Sequence, residues 1–140
     1  MTAPQGRERL EALLQRVEAA EGPDRDLDAD IVLWRHPELA EWPRSDRGGW
    51  VSPEWGLISP PEHFTGSVDA ALALVERVLP DVERIDVIAF PNLVHRSRAE
   101  VWPDGDTRVV ANATTPALAL IAALLRALIT SAPTPGETND

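Results

Sequence analysis

The stretch PDRDLDADIVLW, residues 23–34, sets aspartates at 24, 26, 28 and 30 ahead of an apolar run. Closely spaced carboxylates are what a calcium loop uses, because a hard divalent cation takes oxygen ligands. An EF-hand loop beginning at Asp24 needs glycine at its sixth position and a bidentate glutamate at its twelfth. Ala29 and Arg35 stand there, so the loop fails at both. The same residues suit a helix start. Asp26 is placed to cap it, its neighbours face the positive end of the macrodipole, and Asp30 falls on the solvent side.

The remaining chemistry-bearing residues are scattered. His36, His63 and His95 have no i, i+3 or i, i+4 pairing that would aim two rings at one metal. Serines at 45, 52, 59, 67, 97 and 131 lie outside any G-x-S-x-G elbow, and Gly48-Gly49 lacks a strand–helix context for phosphate binding. With no cysteine there is no thiol nucleophile, disulfide or cysteine zinc site. The expectation is a protein without catalytic residues, cofactor or metal. Tryptophan and arginine are the better candidates. Trp42, Trp50 and Trp55 interleave with Pro, Gly, Arg44 and Arg47. Such residues form interface hot spots and line pockets, and they also staple long loops to a domain. The candidate recognition surface is Trp42, Arg44, Arg47, Trp50, Trp55 and His63, with Arg96 and Arg98 as polar contacts on a nearby strand.

These residues must be held by regular elements. Leu10, Leu13, Leu14 and Val17 make a helical stripe over 7–20, ended by Gly22-Pro23. A second helix runs from about 26 to 35, burying Leu27, Ile31 and Trp34, and Pro37 stops it. Residues 37–63 hold five of the 13 prolines and three of the five tryptophans. An irregular connection this long is uncommon in a compact domain, and its indoles predict that it folds onto the body or a partner. Ser67 caps a third helix with Asp69 in its first turn and Val68, Leu72, Val75 and Leu79 apolar; Pro80 closes it. The β-branched run 82–90 predicts a strand covered on both faces. Residues 93–102 return as a second strand with Arg96, Arg98 and Glu100 on a partly wet face. Pro103-Asp104-Gly105 turns the chain into a third strand at 107–113. Trp102 reads as packing. Thr115 caps a fourth helix, with Pro116 at its first position. Apolar on nearly every side over 117–129, that helix is predicted to be the most buried.

The order α-α-loop-α-β-β-β-α gives the class α+β, a three-stranded antiparallel sheet packed between helices as an α-β-α sandwich. One domain spans 1–130, and 131–140 reads as a disordered, solvated tail. All 13 basic residues are arginine, against 23 acids, for a formal charge of -10. That balance repels phosphate backbones, so no direct nucleic-acid binding is expected. The run 116–129 is too short to span a bilayer and contains Arg126, so no membrane contact is expected either. The N-terminus lacks a signal core, and the expected compartment is the cytoplasm.

Three segments carry a family likeness: LLQRVEAAEGPDRDLDADI, FTGSVDAALALVERVLP and TTPALALIAALLRALI. They resemble the opening, the central helix entry and the C-terminal helix of the phage ABA sandwich domain family, across roughly 10–36 and 61–129. The resemblance implies an antiparallel sheet between helices and an origin in a phage or phage-like element. It implies no activity, since that family is one of unknown function. Its central loop is usually short, whereas here it is long and tryptophan-rich.

The expectation from these features together is a small cytoplasmic accessory protein of phage-like origin, in the host cytoplasm if phage-encoded. It binds an unknown protein partner or itself, as a homodimer that covers sheet edges. One alternative is an acidic inhibitor of a host nucleic-acid or defence enzyme, with carboxylates clustered on one face. The other is a binder of an anionic small molecule, with arginines and the helix starts at Ser67 and Thr115 converging on a pocket.

Overall fold

The computed structural model describes residues 2–45, 49–54, 58–59, 61–90 and 97–131. Helix α1 (Thr2–Ala19) buries the stripe Leu10, Leu13 and Val17. Helix α2 (Arg25–Arg35) buries Leu27 and Ile31 in the same core, while Trp34 is half-buried against it. Its cap is Asp24, not Asp26. Asp24 has an extended backbone, and its Oδ1 accepts the Leu27 N–H at 3.0 Å. A cap must reach the amide three residues on from outside the helix. Asp26 is already inside the first turn and points to solvent.

The connection that follows carries short regular pieces. A 3-10 turn, Pro37–Glu41, leads to a two-stranded antiparallel pair, β1 (Trp50–Val51) and β2 (Ile58–Ser59), with Trp50 opposite Ser59. Ser67 then caps helix α3 (Val68–Val78), its Oγ accepting the Ala70 N–H at 3.1 Å. Ala71, Leu74 and Val75 are buried, but Val68, expected in the apolar stripe, is 41% exposed at the mouth of the helix.

Strands β3 (Arg84–Ala89), β4 (Ser97–Trp102) and β5 (Val109–Ala113) form an antiparallel sheet in the order β3-β4-β5. In β4, Ser97, Ala99 and Val101 are buried, and in β5 so are Val109, Ala111 and Ala113. The two-residue period puts these on one face. Helix α4 (Pro116–Ser131) lies along that face against all three strands, and α1 and α3 pack on its other sides. Thr115 Oγ1 caps it through the Leu118 N–H at 3.2 Å. Every residue from 117 to 125 is consequently buried. Alanines at 99, 111, 119, 122 and 123 allow close approach of helix to sheet and helix to helix. Leu118, Leu120, Ile121, Leu124 and Leu125 fill the space between, each stabilising the fold by about 1.5–3 kcal/mol. The class is α+β, with the element order read from the sequence.

One strand departs from expectation. The segment 82–90 was expected to be covered on both faces, yet β3 is an edge strand, and Val87 and Ile88 are each 37% exposed. β-Branched composition marks a strand but does not say where it lies in the sheet. Among the described residues, no helix is long and apolar enough to cross a membrane.

Candidate functional site

The polar and aromatic residues collect in three places. The first is a clamp at the start of α2. Asp28 is 1% exposed. Its Oδ1 accepts the Thr65 N–H at 2.7 Å, and its Oδ2 accepts Arg25 Nη1 at 2.7 Å. Arg25 also donates to the carbonyls of Pro61 (2.7 Å) and Glu62 (3.3 Å). Its Nη1 lies 3.0 Å from His63 Nδ1, which must accept because a guanidinium can only donate. Thr65 Oγ1 accepts the Asp24 N–H at 2.8 Å and donates to the Asp24 carbonyl at 3.2 Å. Residues 61–65 are thereby tied to the first turn of α2. Both oxygens of the buried Asp28 carboxylate are engaged in that tie, which gives it a structural role. Sequence reasoning missed it by treating all four aspartates as helix-start acids. The available signal was spacing: Asp28 shares the helix face of Asp24 and Ile31, at i, i+4 and i+7.

The second place is the short β1–β2 pair. The Arg44 guanidinium stacks 4.7 Å from the Trp50 ring centroid, and its Nε donates to the Gly49 carbonyl at 3.3 Å. Arg44 also bridges Trp50 through the backbone. The Ser45 N–H reaches Gly49 O and the Val51 N–H reaches Pro43 O, both at 2.8 Å. Trp50 is 1% exposed, which removes its ring from the expected recognition surface. It is an anchor for its own loop. Trp42 is half-buried, and His63 and Arg44 are exposed. Arg47, Trp55 and Arg96 lie outside the described residues.

The third place is the sheet face turned away from α4. The register brings Arg84 opposite Trp102, Asp86 opposite Glu100 and Val110 beyond it, and Ile88 opposite Arg98 with Asn112 beyond. Arg84 stacks 4.9 Å from the Trp102 ring, and its Nε donates to Asp86 Oδ1 at 3.1 Å. The hydrogen bond to Asp86, then its charge, raises the pKa of Arg84 above its ordinary value. Arg98 stacks 5.8 Å from the Phe90 ring. Glu100 is 9% exposed between Arg98 Nη1 at 3.9 Å and Arg108 Nη1 at 3.6 Å. Among the described residues, Arg98 Nε is buried without an acceptor. Arg98 thus belongs to a cation–aromatic face built with Arg84, Trp102 and Arg108, three residues the sequence reading had not grouped with it.

The arrangement expected of an anion pocket is half present. Pro23, Thr65, Gly66, Val68, Thr115, Pro116 and Ala117 line a cleft of about 140 Å³ where α2, α3 and α4 begin. A Cβ at Gly66 would stand 3.2 Å from Pro23 Cβ, a tight contact. Among the described residues no arginine lines the cleft, and the Ser67 and Thr115 hydroxyls are already spent on their own caps. Drug-sized ligands occupy clefts of about 300–1,000 Å³. The exposed carboxylates are spread over α1, α2, the 3-10 turn, α3 and the β4–β5 turn. Several are paired, as in Arg16–Asp30, Arg126–Glu18 and Arg77–Glu62. Among the described residues, no group of three or more His, Asp or Glu side chains is placed to hold a metal ion. Comparison with protein families, with curated proteins and with solved structures returns no match.

Proposed function

We propose that the chain is a non-catalytic protein-binding module whose recognition surface is the sheet face opposite α4. The observation that carries this reading is the cation–aromatic grid on β3 and β4, where Arg84 overlies Trp102 and Arg98 overlies Phe90. Trp and Arg are among the side chains most enriched at interface hot spots, the indole for the apolar area it buries and the guanidinium for its planar fork of donors. The flanking carboxylates Asp86 and Glu100 hold those guanidiniums in place before a partner arrives, which lowers the entropy cost of binding. The Trp42 side of the 37–63 loop is a secondary contact at most in this reading, since its central indole is spent on the fold. The further idea of a phage-like accessory role rests on the family resemblance alone.

The test is partner capture from cells of the source organism. Immobilised wild type is compared with R84E/R108E, which reverses two exposed charges on the face, and with W42A on the loop. The expected result is one or more specific partners retained by wild type and W42A, and lost by R84E/R108E while its thermal melt stays cooperative. Equal capture by R84E/R108E, or capture of nothing by the wild type, overturns the reading.

A further inference from the structure

The edge of β3 poses a separate question from the face beside it. An edge strand presents a row of unpaired backbone N–H and C=O groups, and proteins that stay monomeric blunt such edges with unpaired charges, proline, bulges or a covering element. β3 has no proline or bulge, its two charges pair with each other, and RIDVIA runs in unbroken register with β4 from Arg84–Trp102 to Ala89–Ser97. Its two halves also differ. At the N-terminal half, Arg84 and Ile85 border a groove of about 320 Å³ shared with Leu72, Glu76 and Val82. At the C-terminal half, Val87 stands on the α4 side of the sheet and is nonetheless 37% exposed, with Ile88 equally exposed on the other side and Ala89 open to solvent.

Antiparallel pairing about a twofold axis sets the first half of one strand beside the second half of the other. The protruding end of each β3 then meets the grooved end of its counterpart. We infer that the occupant of this edge is a second copy of the chain, paired β3 to β3 so that two three-stranded sheets become one of six.

The register follows from the side chains. Opposed residues must share a face, so the axis passes through a residue rather than between two. An axis at Asp86 sets two carboxylates directly opposite, which is destabilising. An axis at Val87 sets Val87 against its copy and Ile85 against Ala89 on the helix side. On the other side it sets Asp86 against Ile88 and Arg84 against Phe90. The only charges on the strand, Arg84 and Asp86, already neutralise each other at 3.0 Å, so the pairing brings together two segments of zero net charge in an otherwise acidic molecule. This inference does not depend on the face-binding proposal, and the experiment below tests it with Arg84 and Arg108 left in place.

The chain has no cysteine, so introduced thiols report position without interference. Directly opposed residues have Cα atoms about 4.5–5.5 Å apart, within disulfide reach, whereas residues two positions off register are about 7–8 Å apart and outside it. V87C and I88C are equally exposed in the parent chain, on opposite faces of the strand, and the pairing sets only the first directly against its own copy. Under mild oxidation V87C is expected to form a disulfide-linked dimer about tenfold faster than I88C. Sedimentation of the unmodified protein is expected to show twice the chain mass, reverting to one chain in V87K, whose melt stays cooperative. Equal cross-linking rates for the two cysteines place the contact elsewhere and overturn the register. A wild type that remains monomeric up to about 1 mM overturns the pairing altogether.

Discussion

Asp28 shows how much one carboxylate can hold when it is buried with its partners already present. It joins Arg25 of α2 to the Thr65 amide, 37 positions away in sequence. Removing it leaves a buried N–H unpaired and a guanidinium without its anion. D28A is expected to lose about 2–3 kcal/mol by urea unfolding, the lower part of the buried-pair range because Arg25 is itself 43% exposed. D28N keeps an acceptor for the Thr65 N–H and loses less, and a D28A variant as stable as wild type would sink this account of the clamp. Asp104 is the exposed counterpart. Backbone N–H groups of Thr107 and then Asp106, both at 3.0 Å, favour its charged form and hold its pKa below the ordinary carboxylate value. A folded pKa lower than the unfolded one gives stability that is fully present above the unfolded pKa of about 4 and is lost as pH falls through the folded value. The stability difference between wild type and D104N should therefore favour wild type at neutral pH and close in acid; a difference independent of pH contradicts it.

At the scale of elements, legibility followed the range of the interactions. The starts of α3 and α4 were readable because Ser67 and Thr115 bond amides three residues away, as Ser-x-x and Thr-Pro patterns announce. The cap of α2 was misplaced by two residues because four aspartates compete for one cap, and only the backbone at Asp24 selects among them. Burial of α4 was readable from its lack of a polar side. The position of β3 at an edge was not, since edge and centre differ in what lies beside a strand rather than in the strand. Trp50 belongs to the same class: whether an indole anchors or recognises depends on where Arg44 and residues 43–51 fold. Its burial lies outside the main core cluster, which makes the loop a satellite unit. W50A should speed amide exchange at Ser45 and Val51 by at least about tenfold while exchange in α4 is unchanged. Equal acceleration in both would mean the loop and core unfold together.

For the whole molecule, the charge of -10 sets the background against which any association occurs. Two copies repel at long range, and added salt screens that repulsion within a Debye length of about 10 Å at 0.1 M. Self-association through β3 should consequently tighten between low and moderate salt, measured by sedimentation, whereas an acidic inhibitor would bind its basic target less tightly. Weakening of the dimer by salt would point to charge pairs, not strand pairing, as its cement. The central place of α4 has a further consequence, in time. Its contacts reach back to α1 and forward from all three strands, and it is the last of the described elements to be synthesised. At about 5–20 residues per second, the greasy stripe of α1 emerges roughly 5–20 s before the helix that shelters it. During translation the apolar faces of α1 and the sheet therefore wait for the helix that covers them. The layers close only once α4 has emerged.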